Sequence, residues 1–390
     1  MTHHPEHHIP SHPAVECLLQ NGFEGSANAL RLLLNEAMMI ERSQALQAAP
    51  YERTDDRLGY ANGFKPKSVL TRVGKLELSI PQVRGGMEFY PTSLERGQRS
   101  EQALNLAIAE MYIQGVSTRK VEEIVRQLCG EGVSREKVSQ LAEKMDEELA
   151  RWRNRPIENI SYLILDARYE KVRVDGLVRD CALLVAFCVD GENRRSVLGL
   201  SVALSEAETH WREFLRSLKK RGMHGLIMIT SDDHAGLKAA LKTEFGGVKW
   251  QRCQCHLQRN ATQYVPKLEM RKPVAADIRA IFAAPNLEES KRLLEMAVKK
   301  YADTASSLSK WMAANLHEGL TVFSLPEAHR KRLRTSNLAE RQNKEVKRRT
   351  RVIGIFPNEA SLLRVASAIL KERSDLWQTE NSYLPSKEEV

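Results

Sequence analysis

Residues 160–174, ISYLILDARYEKVRV, place Tyr162, Leu163, Ile164 and Leu165 directly ahead of Asp166. A second stretch, LIMITSD at residues 226–232, repeats the arrangement with Leu226-Ile227-Met228-Ile229-Thr230-Ser231 ahead of Asp232. Short apolar runs of this kind read as core strands. A carboxylate closing such a strand costs on the order of several kcal/mol to desolvate unless a cation pairs with it. Two of them in one domain therefore point to a shared divalent metal, and a third acid, Glu340, falls in the most basic stretch of the chain.

The surrounding segments give these acids a frame. Three strands form a meander over about Ile160 to Val174, Cys181 to Val189 and Val197 to Leu204, with Asp190-Gly191 opening the second turn. A helix from about Glu206 to Lys220, a strand from Leu226 to Ile229 and a helix from Ala235 to Phe245 follow, and Trp250 to Leu257 is a candidate fifth strand. A right-handed crossover returns the fourth strand parallel to the first, which places Asp166 and Asp232 on neighbouring strands. Three antiparallel strands, a crossover and further parallel strands make the order of a ribonuclease H-like α/β domain. Helical patterning then resumes through Leu268 to Phe282 and Leu287 to Ala302, so an all-helical insertion over about 260–330 separates this pattern from Glu340.

The last helix is expected to start near Ser336 or Asn337, where Thr335-Ser336-Asn337 supplies cap candidates. It carries Glu340, Lys344, Lys347 and Arg351 on one stripe, whereas Glu345 falls about 140° away around the helix. From Arg330 to Arg351 there are ten Lys or Arg against Glu340 and Glu345, a local excess that nearly equals the net +9 of the 390-residue chain. Such a run is usually a solvated face. Surrounding a candidate catalytic acid, it suits a polyanionic partner whose binding weakens steeply with salt.

Upstream, residues 1–13 form a His- and Pro-rich tail expected to be disordered, and residues 14–95 hold a helical segment, from Ala14 to Ala49, and a β-hairpin. Asn62-Gly63 is a turn signal, and Ser68 to Pro81 alternates around Gly74-Lys75. Residues 96–155 contain two short helices capped by Ser117 and Ser134, the second running to Leu149. They suggest a helix-turn-helix with Arg135 and Lys137 exposed near the start of its second helix. The acidic Glu143, Asp146, Glu147 and Glu148 argue against that whole helix lying in a groove. Residues 156–390 then make the catalytic domain.

Composition is that of a soluble globular protein, with 42% hydrophobic and 28% charged residues, and the length fits two or three domains. No apolar stretch approaches a membrane span and no signal core is present, so a cytoplasmic, nucleoid-associated location is expected. The six cysteines are scattered and suit free thiols.

Phosphodiester cleavage or transfer needs an activated attacking oxygen and a stabilised leaving oxygen in line, and two Mg²⁺ or Mn²⁺ ions about 3.5–4 Å apart serve both. In this scheme Asp166 bridges the two ions, Asp232 holds one and Glu340 the other. Asp233 competes with Asp232 at this point. The Cys253-x-x-His256 pair is explained by packing beside the site, and a structural zinc site there lacks enough nearby ligands.

Four ordered segments carry a family resemblance. They are Asp166 to Arg173 (DARYEKVR), Ser231 to Leu237 (SDDHAGL), Trp250 to Asn260 (WQRCQCHLQRN) and Thr335 to Glu345 (TSNLAERQNKE). With Arg348 to Asn358 (RRTRVIGIFPN), Asn62-Gly63 and the Gly74-Lys75-Leu76 turn, they make the chain resemble the Mutator-type bacterial insertion-sequence transposases over nearly its whole length. The resemblance implies an Asp-Asp-Glu transposase on a ribonuclease H-like fold, with Asp166, Asp232 and Glu340 as catalytic acids and metal ligands. It favours Asp232 over Asp233 and places His256 against DNA or in support of the site. Ser336 stands where the family usually has threonine.

The implied reaction is metal-dependent cleavage at terminal inverted repeats, followed by attack of the freed 3′-hydroxyl on DNA, carried out by a homodimer or higher oligomer. Arg341, Lys344, Lys347, Arg348 and Arg351 would hold phosphates. Recognition of the DNA ends falls to residues before about Arg155. The rival expectations are a domesticated transposase acting only as a DNA-binding regulator, and a ribonuclease H-like nuclease or resolvase.

Overall fold

The computed structural model describes residues 12–385 except 95, 98 and 99, so the tail expected over 1–13 lies outside the described residues but for its last two. Those two start a helix: His12 accepts the Ala14 amide through Nδ1 (3.1 Å), and Pro13 occupies the first turn, where its missing N–H costs nothing. The chain is mixed α/β with two sheets, and it divides into two compact units after Lys144. No helix among the described residues is long and apolar enough to cross a membrane.

The first unit contains α1 (Pro13–Asn21), α2 (Ser26–Leu46), the hairpin strands β1 (Tyr60–Thr71) and β2 (Gly74–Arg84), then α3 (Gln102–Ile113), α4 (Thr118–Cys129) and α5 (Arg135–Glu143). Strand β2 alternates cleanly: Leu76, Leu78 and Ile80 are buried with Met38 of α2, while Lys75, Glu77 and Ser79 face solvent. Two residues, Arg72-Val73, make the hairpin turn, two positions ahead of the expected Gly74-Lys75. Asn62-Gly63 is not a turn. It lies inside β1, where the register slips between Ala61 and Phe64 and Gly63 takes φ 70°, a bulge rather than a chain reversal. Ser117 and Ser134 cap α4 and α5 through hydroxyls that accept the Lys120 and Lys137 amides. The second of these helices stops at Glu143, short of the expected Leu149.

The second unit opens with α6 (Asp146–Arg153), followed by β3 (Ile160–Val174), β4 (Leu177–Asp190), β5 (Arg195–Ala203), α7 (Glu208–Lys220), β6 (Met228–Ser231), α8 (Ala235–Phe245) and β7 (Lys249–Arg252). The sheet order is β5-β4-β3-β6-β7. β3, β4 and β5 run antiparallel, and β6 and β7 continue parallel to β3. From Cys181 to Val189, β4 is buried without interruption because both faces of the sheet are covered. Ala182, Leu184 and Ala186 meet Trp211, Phe214 and Leu218 of α7, and Phe187 meets Trp377 from the other side.

After β7 the chain turns helical: α9 (Gln254–Ala261), α10 (Arg271–Phe282), α11 (Leu287–Tyr301), α12 (Ser306–Asn315) and α13 (Glu327–Leu333). The first four share a core of their own, including Leu257, Ile278, Leu294, Leu308 and Met312. The fifth strand is thus shorter than expected, and Cys253 to Leu257 belongs to the start of α9. Two helices close the unit, α14 (Asn337–Thr350) and α15 (Glu359–Thr379). The helix at Asn337 is therefore not the last one. Asn358 caps α15 by accepting the Ser361 amide (2.8 Å), and Leu362, Val365, Ile369 and Leu370 are buried. Arg364 of α15 holds Asp146 of α6 through two 2.7 Å bonds.

Candidate active site

Asp166 lies within β3 rather than at its end. Unbroken burial stops at Leu165, yet the strand runs on to Val174 with only Val172 fully buried beyond that point, so the carboxylate emerges where the sheet leaves the main core. Parallel pairing of β3 with β6 matches Tyr162 with Met228, Leu163 with Ile229 and Ile164 with Thr230. Carried two residues further, that register sets Asp232 alongside Asp166. Burial pushes the Asp166 carboxyl up to about 7, and the nearby charge of Asp232 adds to the shift. The Asn343 amide (2.7 Å to Oδ2), the Ala167 amide (3.0 Å to Oδ1) and His256 pull the other way. Burial raises Asp232 as well, against the influence of His256 and His234.

The neighbouring acid has a different fate. Asp233 is ion-paired to Arg252 (3.0 Å), whose side chain is 3% exposed, and to Lys238 (3.0 Å). Glu318 completes that cluster by accepting from both cations at 2.9 Å. Asp233 thus neutralises a buried guanidinium, while Asp232 turns toward Asp166 and two histidines. The first turn of α8, which follows them, makes a close approach to the segment before α7. A side chain at Gly236 would put its Cβ 2.2 Å from the Glu206 carbonyl, so only glycine fits there.

Glu340 is in the first turn of α14, and its Oε1 is buried without a hydrogen bond among the described residues. Asn343, three residues on, ties this helix to Asp166, and Arg168 of β3 donates to the Asn343 carbonyl. Further along, Thr350 donates to Glu170 of β3 (2.8 Å). Ser336 occupies the cap position without a capping bond from its hydroxyl, which is buried and makes no hydrogen bond among the described residues; its amide donates to Cys253 Sγ (3.3 Å). Cys253 precedes α9, and His256 follows within the first turn with Nε2 3.6 Å from Glu340 Oε1. One ligand atom each from Cys253, His256 and Glu340 lies within 4.8 Å of the others.

A hydrogen bond from Cys255 lowers the Cys253 thiol pKa, with His256 and Ser336 adding to the effect. The His256 pKa rises, chiefly through Cys253 and further through Glu340 and Asp232, although burial opposes it. His256 therefore senses all three candidate acids.

Glu345 differs from Glu340 as Asp233 differs from Asp232. Arg348 and Arg349 hold it with bonds of 2.8–2.9 Å, bringing its carboxyl down to about 2. Arg341, Lys344, Lys347, Arg348 and Arg351 are all exposed, although the guanidinium of Arg348 is already engaged by Glu345. Arg341 also lines a cavity of about 960 Å³ with Arg195, Lys331, Arg332, Arg334 and Arg373. Leu338, Gln342 and Glu345 share its wall, so the cavity meets the side of α14 turned away from Glu340. Arg195 comes from β5 and Arg373 from α15, contributions that no local basic run announces. Arg135 and Lys137 sit at the capped start of α5 in the first unit, with Arg135 exposed and Lys137 half-buried.

Comparison with known proteins gives a consistent picture. The family model described as Transposase, Mutator family, matches residues 13–380. The transposase for insertion sequence element IS406 of Burkholderia multivorans is 52% identical over 96% of this chain and 97% of its own length. That for element ISRM5 of Rhizobium meliloti is 40% identical, covering 95% and 93%. The transposase for element IS256 in transposon Tn4001 of Staphylococcus aureus is 37% identical, with 90% of each chain covered.

Proposed function

We propose that this chain, which belongs to the Mutator family of transposases, cuts DNA at the ends of its insertion sequence and joins it elsewhere through Asp166, Asp232 and Glu340. The observation that carries this reading is the Asn343–Asp166 bond, which draws the helix bearing Glu340 onto the strand bearing Asp166. The strand order β5-β4-β3-β6-β7 supports a ribonuclease H-like domain, with α9 to α13 inserted between the last strand and the glutamate-bearing helix.

Oxygen donors dominate the acid cluster, two of its carboxylates have raised pKa values, and Glu340 Oε1 lacks a hydrogen bond among the described residues. That donor set fits hard divalent cations, Mg²⁺ or Mn²⁺, held by Asp166 and Asp232 on one side and Glu340 on the other. Two such ions, when bound, supply activation of the attacking oxygen and charge stabilisation at the leaving oxygen.

The chain's own groups do the positioning. Asn343 and the Ala167 amide fix both oxygens of Asp166, and Arg168 fixes Asn343 in turn. Asp233 occupies Arg252 and Lys238, leaving Asp232 as the acid beside Asp166. Arg341, Lys344, Lys347 and Arg351 hold backbone phosphates, which orients DNA without reading its sequence. Recognition of the terminal repeats is assigned to the segment before about Arg155, with Arg135 and Lys137 at the start of α5 as contacts. Joining two ends to a target calls for a dimer or a higher oligomer.

A strand-transfer assay on end-bearing DNA tests the mechanism. Asp166→Ala should lower both cleavage and joining by roughly 10³-fold or more while DNA binding persists. Activity that survives this substitution would overturn the three-acid assignment.

A further inference from the structure

We propose that Cys253, His256 and Glu340 form a second metal site, selective for thiophilic ions such as Zn²⁺ and Cd²⁺, whose occupation switches strand cleavage off by withdrawing Glu340 from Asp166 and Asp232. The inhibition rests on the catalytic role proposed for Glu340; the binding does not.

The geometry suits a tetrahedral ion. Zn²⁺ bonds of about 2.0–2.3 Å to nitrogen, oxygen and sulfur imply separations of about 3.3–3.6 Å between neighbouring ligands. His256 Nε2 and Glu340 Oε1 are 3.6 Å apart, and the three ligand atoms fall within 4.8 Å of one another, so small side-chain shifts close the site. Glu340 Oε1 has no hydrogen bond among the described residues, and neither has His256 Nδ1. Cys253 is fully buried and its sulfur is aimed by the Ser336 amide, whereas His256 and Glu340 are only part-buried and leave a path for an ion. Three protein ligands with a fourth position open is a common zinc arrangement.

Sulfur and imidazole prefer soft or borderline ions, while Asp166 and Asp232 offer oxygen alone and prefer hard ones. Glu340 belongs to both sets. An ion taken by Cys253 and His256 captures Oε1 and neutralises the carboxylate that the hard ions require. The expectation from sequence was that a structural zinc site lacks enough ligands here; with Glu340 of α14 the structure supplies three.

The experiment uses the full-length protein and two readouts. Titrating the wild type with Cd²⁺, without DNA, should produce a thiolate-to-metal charge-transfer band in the ultraviolet that saturates at one equivalent. Cys255→Ser should keep the band and Cys253→Ser should lose it. His256→Gln should keep it with affinity lowered by about 10-fold or more, which also serves if Cys253→Ser does not fold. In Mg²⁺-driven cleavage, Zn²⁺ should slow the wild type at least about tenfold, and the ratio of rates with and without Zn²⁺ should return close to one in Cys253→Ser, or rise markedly in His256→Gln. A missing band in the wild type, a band that survives Cys253→Ser, or inhibition unchanged in both variants overturns the site. Cleavage surviving Glu340→Gln would instead sink the catalytic reading, with the Cd²⁺ band of the wild type still measuring the soft site by itself.

Discussion

The two sides of α14 meet opposite charge. On one side Glu340 and Asn343 face a cluster with Asp166 and Asp232 in which burial raises both aspartates and the charge of Asp232 raises Asp166 further. On the other side Leu338, Arg341, Gln342 and Glu345 wall a cavity where Lys331, Arg332, Arg334 and Arg341 form no ion pair among the described residues. The crowded acids in front and the unpaired cations behind both cost stability in the free protein, while Lys344, Lys347 and Arg351 lie exposed on the stripe of Glu340. The difference separates chemistry from holding. In the function proposed above, the acids in front receive cations beside the phosphates held by Lys344, Lys347 and Arg351, and the cavity behind extends the path of the polyanion.

Exchanging the two glutamates of the helix tests this division most severely. Glu340→Gln should cut strand cleavage by roughly 10³-fold, and Glu345→Gln, at an acid already paired with two arginines, should change it less than about threefold. Equal losses would erase the distinction between the faces.

Binding should move less and on the opposite face. Arg332→Ala with Arg341→Ala should weaken binding to end-bearing DNA by about 3- to 10-fold, with the salt dependence falling by about 0.9 per lost phosphate contact. Fluorescence anisotropy at several salt concentrations reads both quantities. An unchanged slope would mean that the cavity is no part of the DNA path.

The smallest expected effect concerns stability. Asp166 is held up to about 7 in the folded, metal-free chain, above the ordinary carboxylate value near 3.9. The native state therefore binds that proton more tightly than the unfolded state. Nothing is lost below about pH 4, stability falls as pH rises toward 7, and the deficit is complete above it. Asp166→Asn should raise the Tm of the metal-free protein by about 4 °C or more at pH 8 and leave it nearly unchanged at pH 4. A gain of equal size at both pH values would refute this account.

What could be read from residues alone follows the range of the interactions involved. The strands stand out because Cys181 to Val189 is a continuous apolar run and the apolar run of β3 is broken at Asp166. The Ser117 and Ser134 caps are equally local. Asn62-Gly63 misleads because the same left-handed glycine serves a bulge as well as a turn. The helix α15 is masked by its interleaved arginines and serines, several of them buried by bonds to α6 and β5 rather than exposed. The contact of Cys253 and His256 with Glu340, and the gathering of Arg195 and Arg373 with the α13 cations, join segments far apart in sequence. No periodicity reports them.

The bond between Asn343 and Asp166 spans 177 residues, which sets an order in time as well as in space. At about 5–20 residues per second, ribosomes deliver Asn343 roughly 10 to 35 seconds after Asp166. The first unit precedes that interval and Asp232 joins Asp166 partway through it, well before the helix that carries Glu340. Under the proposed mechanism, a polypeptide still being translated folds much of its framework while unable to cut, and gains competence only once α14 has been made.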